Sequence, residues 1–299
     1  MKTSRLFLAT TLLTLAGSAF AGVPVAGKTH VTPEDPTSLW LISAEETFTG
    51  RASFRDARFG RGDSLYGDYS IDRRFPISGK CYLRLGGEYE RFDFGGTSNG
   101  LPNHLQAAYA HLAYEYIMQD RGVAGIEIDP GFYFQNHVSS NSFDIPWKLW
   151  VSFPLKKDKV FGVIGVGGAL NQDPVVAPGG GVIWLINDKW RLEGVVPKPA
   201  LVYTPNDLWE VRFLGELVFE SFRTDSLQNA PSRIRLQNAV VQYSEYRGGA
   251  QVTYSGFKHF KIVLGGGYTF ERSFDYFRVG LRESTGGAPY GQISIGAKF

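Results

Sequence analysis

The sequence predicts an all-β fold, a transmembrane antiparallel up-and-down β-barrel of about 14 strands, with about 12 as the alternative count. Three observations predict it. From residue 40 to the carboxyl terminus, apolar residues recur at every second position in one short segment after another. That is the period of a strand with one apolar and one wet side. After residue 21 no apolar run reaches the ~20 residues that a membrane helix requires. Finally, the apolar face is nearly free of charge in mid-strand, while the opposite face collects Arg, Lys, Asp and Glu. A soluble barrel buries its apolar face and a membrane barrel turns it to lipid. The purging of charge decides for lipid, because an Arg or Lys on the lipid face at mid-bilayer costs roughly 2–4 kcal/mol.

The chain divides into residues 1–21, 22–39 and 40–299. Lys2 and Arg5, the apolar run Leu6 to Leu15 and the small residues Ala19-Phe20-Ala21 form a signal peptide, cleaved after Ala21 and too short to span. No Cys follows the cleavage site, which excludes lipid attachment there. Residues 22–39, with Pro24, Pro33 and Pro36, read as an extended leader. Removing Lys2 and Arg5 from 31 basic residues leaves 29 against 29 acidic, so the mature chain is formally neutral. Nucleic acid is therefore not an expected partner, since phosphate binding needs a concentrated basic surface. The single Cys81 rules out an intrachain disulfide or a multi-Cys metal site, and five His give metal chemistry little to build on. No cofactor and no metal are expected.

The strands follow in order. The first sets Phe48, Gly50, Ala52 and Phe54 against Thr47, Thr49, Arg51 and Ser53. The second sets Leu65, Gly67, Tyr69 and Ile71 against Tyr66, Asp68, Ser70 and Asp72, before a Pro76-Ile77-Ser78-Gly79 turn. The third opposes Cys81, Leu83, Leu85, Gly87 and Tyr89 to Arg84, Glu88 and Glu90. The fourth opposes Ala108, Ala110, Leu112, Tyr114 and Tyr116 to Gln106, His111 and Glu115. The fifth opposes Ala124, Ile126, Ile128, Phe132 and Phe134 to Glu127, Asp129 and Tyr133. The sixth alternates Ile145, Trp147, Leu149, Val151, Phe153 and Leu155 with Lys148 and Ser152. Two Gly-rich strands, 160–170 and 178–186, are less polarised, and their glycines, with no helix after them, read as bends rather than phosphate loops. Trp190, Leu192, Gly194 and Val196 then oppose Arg191 and Glu193. Pro197-Lys198-Pro199 is either a tight hairpin into a short strand, Ala200 to Thr204, or a kink in one long strand. Trp209, Val211, Phe213, Gly215, Leu217 and Phe219 oppose Glu210, Arg212, Glu216 and Glu220. Residues 223–237 read as a loop. Tyr246, Gly248, Ala250, Val252 and Tyr254 oppose Arg247 and Gln251. Phe260, Ile262, Leu264, Gly266, Tyr268 and Phe270 oppose Lys261, Thr269 and Glu271. The last strand sets Gly291, Ile293, Ile295, Ala297 and Phe299 against Tyr290, Gln292, Ser294, Gly296 and Lys298.

That closing strand, apolar at alternate positions and ending on a terminal Phe, resembles the last strand of bacterial outer-membrane β-barrels. The connections agree. Short turns at 76–79, 119–121, 156–159 and 187–188 alternate with longer ones at 55–63, 94–104, 135–143 and 171–177, as periplasmic turns and outer loops do. The resemblance covers the whole mature chain and is to putative outer-membrane barrel families of undefined function. It implies a place in the bacterial outer membrane, a periplasmic leader, outer-membrane lipid as solvent, and recognition of Tyr290, Ile293, Ile295 and Phe299 by the barrel-assembly machinery. It also implies an even strand number, which favours the hairpin at Pro197. Aromatics near strand ends (Phe48, Phe54, Tyr116, Trp147, Trp190, Trp209, Phe219, Tyr254, Phe260 and Phe270) suit the two interfacial girdles.

The inner wall then carries Arg51, Arg84, Glu88, Glu90, His111, Glu115, Glu127, Asp129, Lys148, Arg191, Glu193, Glu210, Arg212, Glu216, Glu220, Arg247, Lys261 and Glu271. His111 stands across from Glu127 or Asp129 and could act as a general base, yet no nucleophile is fixed by spacing, so no catalytic residue is assigned. The ladder Glu210, Glu216 and Glu220 with Arg212 either lines a cation-preferring passage or makes cross-strand ion pairs in a narrow lumen. The expected function is a pore or passive channel for small polar solutes. The alternatives are a structural or binding barrel with a packed lumen, whose outer loops 94–104, 223–237 and 272–288 contact a partner, and an outer-membrane lipid hydrolase.

Overall fold

The computed structural model describes residues 40–96, 101–118, 122–225, 236 and 238–299. The signal peptide, the leader, the turn at 119–121 and most of the 223–237 loop lie outside the described residues. Seventeen strands, β1 to β17, form one sheet that closes on itself where β1 (Trp40–Ser53) pairs antiparallel with β17 (Ala288–Lys298). Three positions in the wall are broken into two pieces. These are β5 (Val123–Ile128) with β6 (Gly131–Phe134), β7 (Phe143–Asp144) with β8 (Trp147–Lys156), and β16 (Leu281–Ser284) with β17, so the barrel has fourteen wall strands. Pro130 and Pro146, which lack an N–H for the ladder, sit at the first two breaks.

The remaining strands are β2 (Arg61–Ser78), β3 (Cys81–Gly95), β4 (His104–Ile117), β9 (Val160–Gly168), β10 (Val176–Leu185), β11 (Trp190–Val195), β12 (Ala200–Asn206), β13 (Trp209–Arg223), β14 (Val240–Tyr254) and β15 (Phe260–Tyr276). Leu85, Leu112, Ile126, Leu149, Ile164, Phe213, Leu264 and Ile293 project outward and exposed, an apolar belt around the wall. Glu46 also stands on this face, where it accepts the Tyr69 hydroxyl. Aromatic pairs flank the belt at the turn end, Trp190 with Tyr203 at 4.6 Å and Trp209 with Tyr254 at 4.7 Å. At the loop end Phe132 meets Phe143 at 5.6 Å and Tyr268 meets Phe270 at 5.8 Å.

Pro197-Lys198-Pro199 is a hairpin between β11 and β12, and both strands are short. Six residues in β11, at ~3.3 Å each and ~45° tilt, rise about 14 Å, well under the ~25 Å apolar band of such barrels. Above this hairpin β10 loses its partner beyond Gly181, and β13 loses its own beyond Leu214. The wall is therefore notched. The hairpin satisfies the nearby backbone, with Gly215 N donating to Pro199 O at 2.9 Å and Leu217 N to Pro197 O at 3.0 Å. Pro178, Pro197 and Pro199 around the notch have no N–H to leave unpaired.

Freed from β12, the outer end of β13 crosses the lumen. Arg223 bridges Phe134 of β6 in parallel, and Gln135 N donates to Arg223 O at 3.0 Å. This contact pinches the outer half into two parts. The strands running from β13 round through β1 to β6 enclose a dry core that includes Phe92, Phe94, Leu105, Phe222, Tyr243, Phe274 and Tyr276. Phe92 lies 4.9 Å from Tyr243, and Phe94 lies 4.9 Å from Phe274. The strands β7 to β12 form a side lobe beside it.

Two bulges move residues from the face that strict alternation assigns. The register of β1 on β2 shifts between Thr49 and Ala52, which turns Ala52 and Phe54 inward and leaves the Arg51 side chain 71% exposed. On β15 the ladder passes from Tyr246–Glu271 to Arg247–Thr269, skipping Phe270. Beyond it Arg272, Phe274 and Tyr276 point inward and Glu271 outward. Arg51 and Glu271 are thus rim residues rather than inner-wall residues, held by Asp63 and by Arg55 with Arg282. Phe54 belongs to the aromatic core, and Phe219 packs on Ala177 in the side lobe, so neither joins a girdle.

The lumen as candidate functional site

Alternation places every second side chain of a wall strand inside, and the inner residues change character along the barrel axis. On β3 the inward series runs Arg84, Glu88, Glu90, then Phe92 and Phe94. On β13 it runs Glu210, Arg212, Glu216, Glu220, then Phe222. Charge fills the turn half and aromatic carbon the outer end.

The charged part is organised in neutralised groups. At the turn-side mouth Arg191 binds Glu193 at 2.7 Å and Glu210 at 2.8 Å, and Arg212 closes the ring onto both acids. Lys261 stands exposed on the same side, and the Gln251 amide donates to Gln292 at 2.8 Å. Deeper, Glu216 accepts from Arg247 at 2.6 Å and meets Lys198 at 2.5 Å. The hairpin tip thus sends its Lys back into the lumen. Across the barrel Glu127 takes both Arg84 and Lys148, and Arg74 meets Glu115 at 2.6 Å while lying over the Tyr82 ring. A charge withdrawn from water must be paired, and this pattern meets that demand for most of the inner wall.

His111 faces Asp72 at 2.9 Å through Nδ1 and Glu88 at 3.0 Å through Nε2, with Asp129 farther off at 3.9 Å. Both ring nitrogens are thus taken up by carboxyl groups, and neither is free to face a substrate as a general base. The acids expected across from it, Glu127 and Asp129, are there as well, with one ligand atom of each of the three residues within 4.8 Å of the others, and Glu127 is also held by Arg84 and Lys148.

Cavities interrupt this packing among the described residues, two of them beside the charged groups. The larger, about 300 Å³, lies inside β10 to β14, between an apolar side (Ile183, Val195, Ala200, Leu214) and a charged one (Arg191, Lys198, Arg212, Glu216). The smaller, about 90 Å³, fills the side lobe among Glu90, Asp129, Lys148, Gly168, Phe219 and Glu220.

Several inner residues escape a reading of the sequence. Phe92, Phe94 and Phe222 share the parity of the acids before them, and extending each strand by two to four residues would have found them. Arg272, which donates to Ser64 Oγ at 2.9 Å and Gly62 O at 2.7 Å, lies past the β15 bulge where parity misleads. Of the closing-strand residues, Ile293, Ile295 and Phe299 are exposed on the outer face, while Tyr290 is buried inside with Arg247 over its ring.

No protein-family model and no curated protein matches the sequence. Among solved structures it is similar to an outer-membrane channel from Pseudomonas putida F1, at 7% identity and a TM-score of 0.48, over 90% of this chain and 100% of that one. It is also similar to the P. putida toluene transporter TodX (12% identity, TM-score 0.42, 92% and 93% covered). A third is the translocator domain of the autotransporter NalP from Neisseria meningitidis (9% identity, TM-score 0.40, 89% and 90% covered). What those proteins carry is a property of theirs alone. On its own closure, belt and aromatic rims, this chain has the fold of an outer-membrane β-barrel of fourteen strands.

Proposed function

We propose that the chain is a passive channel for small polar solutes in the bacterial outer membrane, with its charged lumen setting selectivity. The observation that carries this reading is the pair of cavities, about 300 and about 90 Å³, each lined in part by acids of the inner wall. The route is off-axis. Solute enters from the periplasmic mouth, occupies the larger cavity, passes Lys198 and Glu220 and leaves through the side lobe, because the axial path ends in the aromatic core. Mostly neutralised walls suit a narrow passage that holds no solute tightly.

The barrel-assembly machinery is the proposed reader of the closing strand, through Ile293, Ile295 and Phe299 with Tyr290 on the inner face. Outer-membrane lipid is the proposed solvent of the belt.

Purified protein in planar bilayers should give small, discrete conductance steps, and liposomes carrying it should swell in amino acids or small sugars. A folded, heat-modifiable barrel that neither conducts nor swells liposomes would remove the channel reading. The second reading, a structural or binding barrel with a packed lumen, would then stand, favoured by the fully buried core around Phe92 and Tyr243.

A further inference from the structure

Beside the smaller cavity the lumen gathers more carboxylates than its cations pair, although Glu88 among them is held by His111 and Tyr109. Asp68 on β2 sits opposite Glu90 on β3 in the ladder, and Glu88 lies two residues before Glu90. Oxygens of these three acids lie within 4.8 Å of one another. From β13, the Glu220 carboxylate comes within hydrogen-bonding reach of Glu90. Ionised carboxylates do not rest at such separations without a proton or a cation between them. Neighbouring positive charge is already committed: His111 to Asp72 and Glu88, and Lys198 to Glu216.

Independently of that clustering, Glu90 is only 2% exposed, and while its Oε1 accepts from Tyr109 at 3.0 Å, its Oε2 is buried without a hydrogen-bond partner. Asp68 Oδ1 and Glu220 Oε2 are buried and unpartnered as well. A buried acceptor left without a partner is costly. Asp68 and Glu90, each with an orphaned oxygen, cluster with Glu88, and Glu220 stands against Glu90, which marks a place where a ligand is missing.

We propose that Asp68, Glu88 and Glu90, with the Glu220 carboxylate beside Glu90, bind one hard divalent cation, Ca²⁺ by preference. The donors are all oxygen and mostly anionic, which suits Ca²⁺ or Mg²⁺ rather than a metal selected by thiolate or imidazole. Oxygens up to 4.8 Å apart fit around one ion at about 2.4 Å, the Ca²⁺ distance, and sit loosely for Mg²⁺ at about 2.1 Å. Glu90 and Glu220 also line the smaller cavity, which gives the ion an entry. The site rests on the reading of this lumen as a solute route and adds a cation that resides on it.

The test uses the full-length barrel in detergent, stripped with EDTA and titrated with Tb³⁺, whose luminescence Tyr66 and Tyr109 can sensitise. Saturable one-site binding that Ca²⁺ displaces is expected. In the double variant Glu90→Gln, Glu220→Gln it should weaken at least tenfold, and in the surface variant Asp56→Asn it should not change. Heat-modifiable migration establishes that each variant is folded. No saturable binding, or binding indifferent to the double variant, overturns the proposal and leaves shared protons in the ion's place. The outcome is separable from conduction. Ion binding by a barrel that does not conduct keeps the site and drops the channel, and conduction without ion binding does the reverse.

Discussion

Glu216 on β13 and Arg247 on β14 face each other directly in the ladder and close at 2.6 Å, with side chains 2% and 1% exposed. This pair is the deepest neutralised charge in the lumen, and Lys198 reaches back from the hairpin to share the acid. Removing the acid would leave two cations facing each other. Glu216→Ala should therefore destabilise the barrel by about 3–5 kcal/mol, read as a lower urea midpoint for loss of heat-modifiable migration. A midpoint unchanged from the parent would show that the pair is not shielded from water.

Selectivity should depend on Glu220 more than on Glu210. Glu210 is held by Arg191 and Arg212, whereas Glu220 faces Glu90. In bilayers, Glu220→Gln should lower cation preference at least twofold and Glu210→Gln should change it little. Equal effects would contradict the assigned pairing.

The aromatic core should act as the axial stopper. Phe92→Ala with Phe222→Ala removes two buried rings, each costing about 3–5 kcal/mol of stability, and should raise single-channel conductance severalfold. A folded double variant with parental conductance would show that the axial path is not closed there.

An outer tether should respond to acid. Asp225 accepts from the backbone N–H groups of Asn136 at 3.2 Å and His137 at 3.1 Å. Partial burial works to raise its pKa, but hydrogen bonds from the Asn136 side chain, these two backbone groups and the His137 ring outweigh it and hold the carboxyl below the usual range. A depressed folded pKa means stabilisation that is present above the ordinary value near ~4 and lost as pH falls through the folded value. Amide exchange at Asn136 and His137, corrected for its intrinsic pH dependence, should be flat from pH 5 to 8 and rise below about pH 4. In Asp225→Asn that acid-induced step should vanish.

Much of the fold is legible in the sequence because its wall follows a simple rule, apolar outside at every second residue. The rule places Leu85, Leu264 and Ile293 correctly, and the requirement for an even strand number makes Pro197-Lys198-Pro199 a hairpin. It fails where the backbone inserts a residue. The shifts after Thr49 and at Phe270 reverse the faces beyond them, so Arg51 and Glu271 go out while Phe54 and Arg272 go in. The pinch of β13 onto β6 is also illegible, since a contact between strands far apart in the chain leaves no periodic trace. The neighbours of His111 on and just after β5, Glu127 and Asp129, are legible, but its contact with Asp72 is not, since it reaches two strands over across Gly86, which stands between them in the ladder.

The central claim is that lipid, not water or a protein core, surrounds the outer face. Nitroxide labels in a Cys81→Ser background, placed by Leu264→Cys and Ile293→Cys and compared with Val263→Cys on the inner face, test it most directly. Reconstituted in bilayers, the first two should relax strongly with oxygen and weakly with a water-soluble nickel chelate, and the third should not follow the lipid-soluble probe. Labels at 264 and 293 that respond chiefly to the nickel chelate, or to neither probe, would contradict the account.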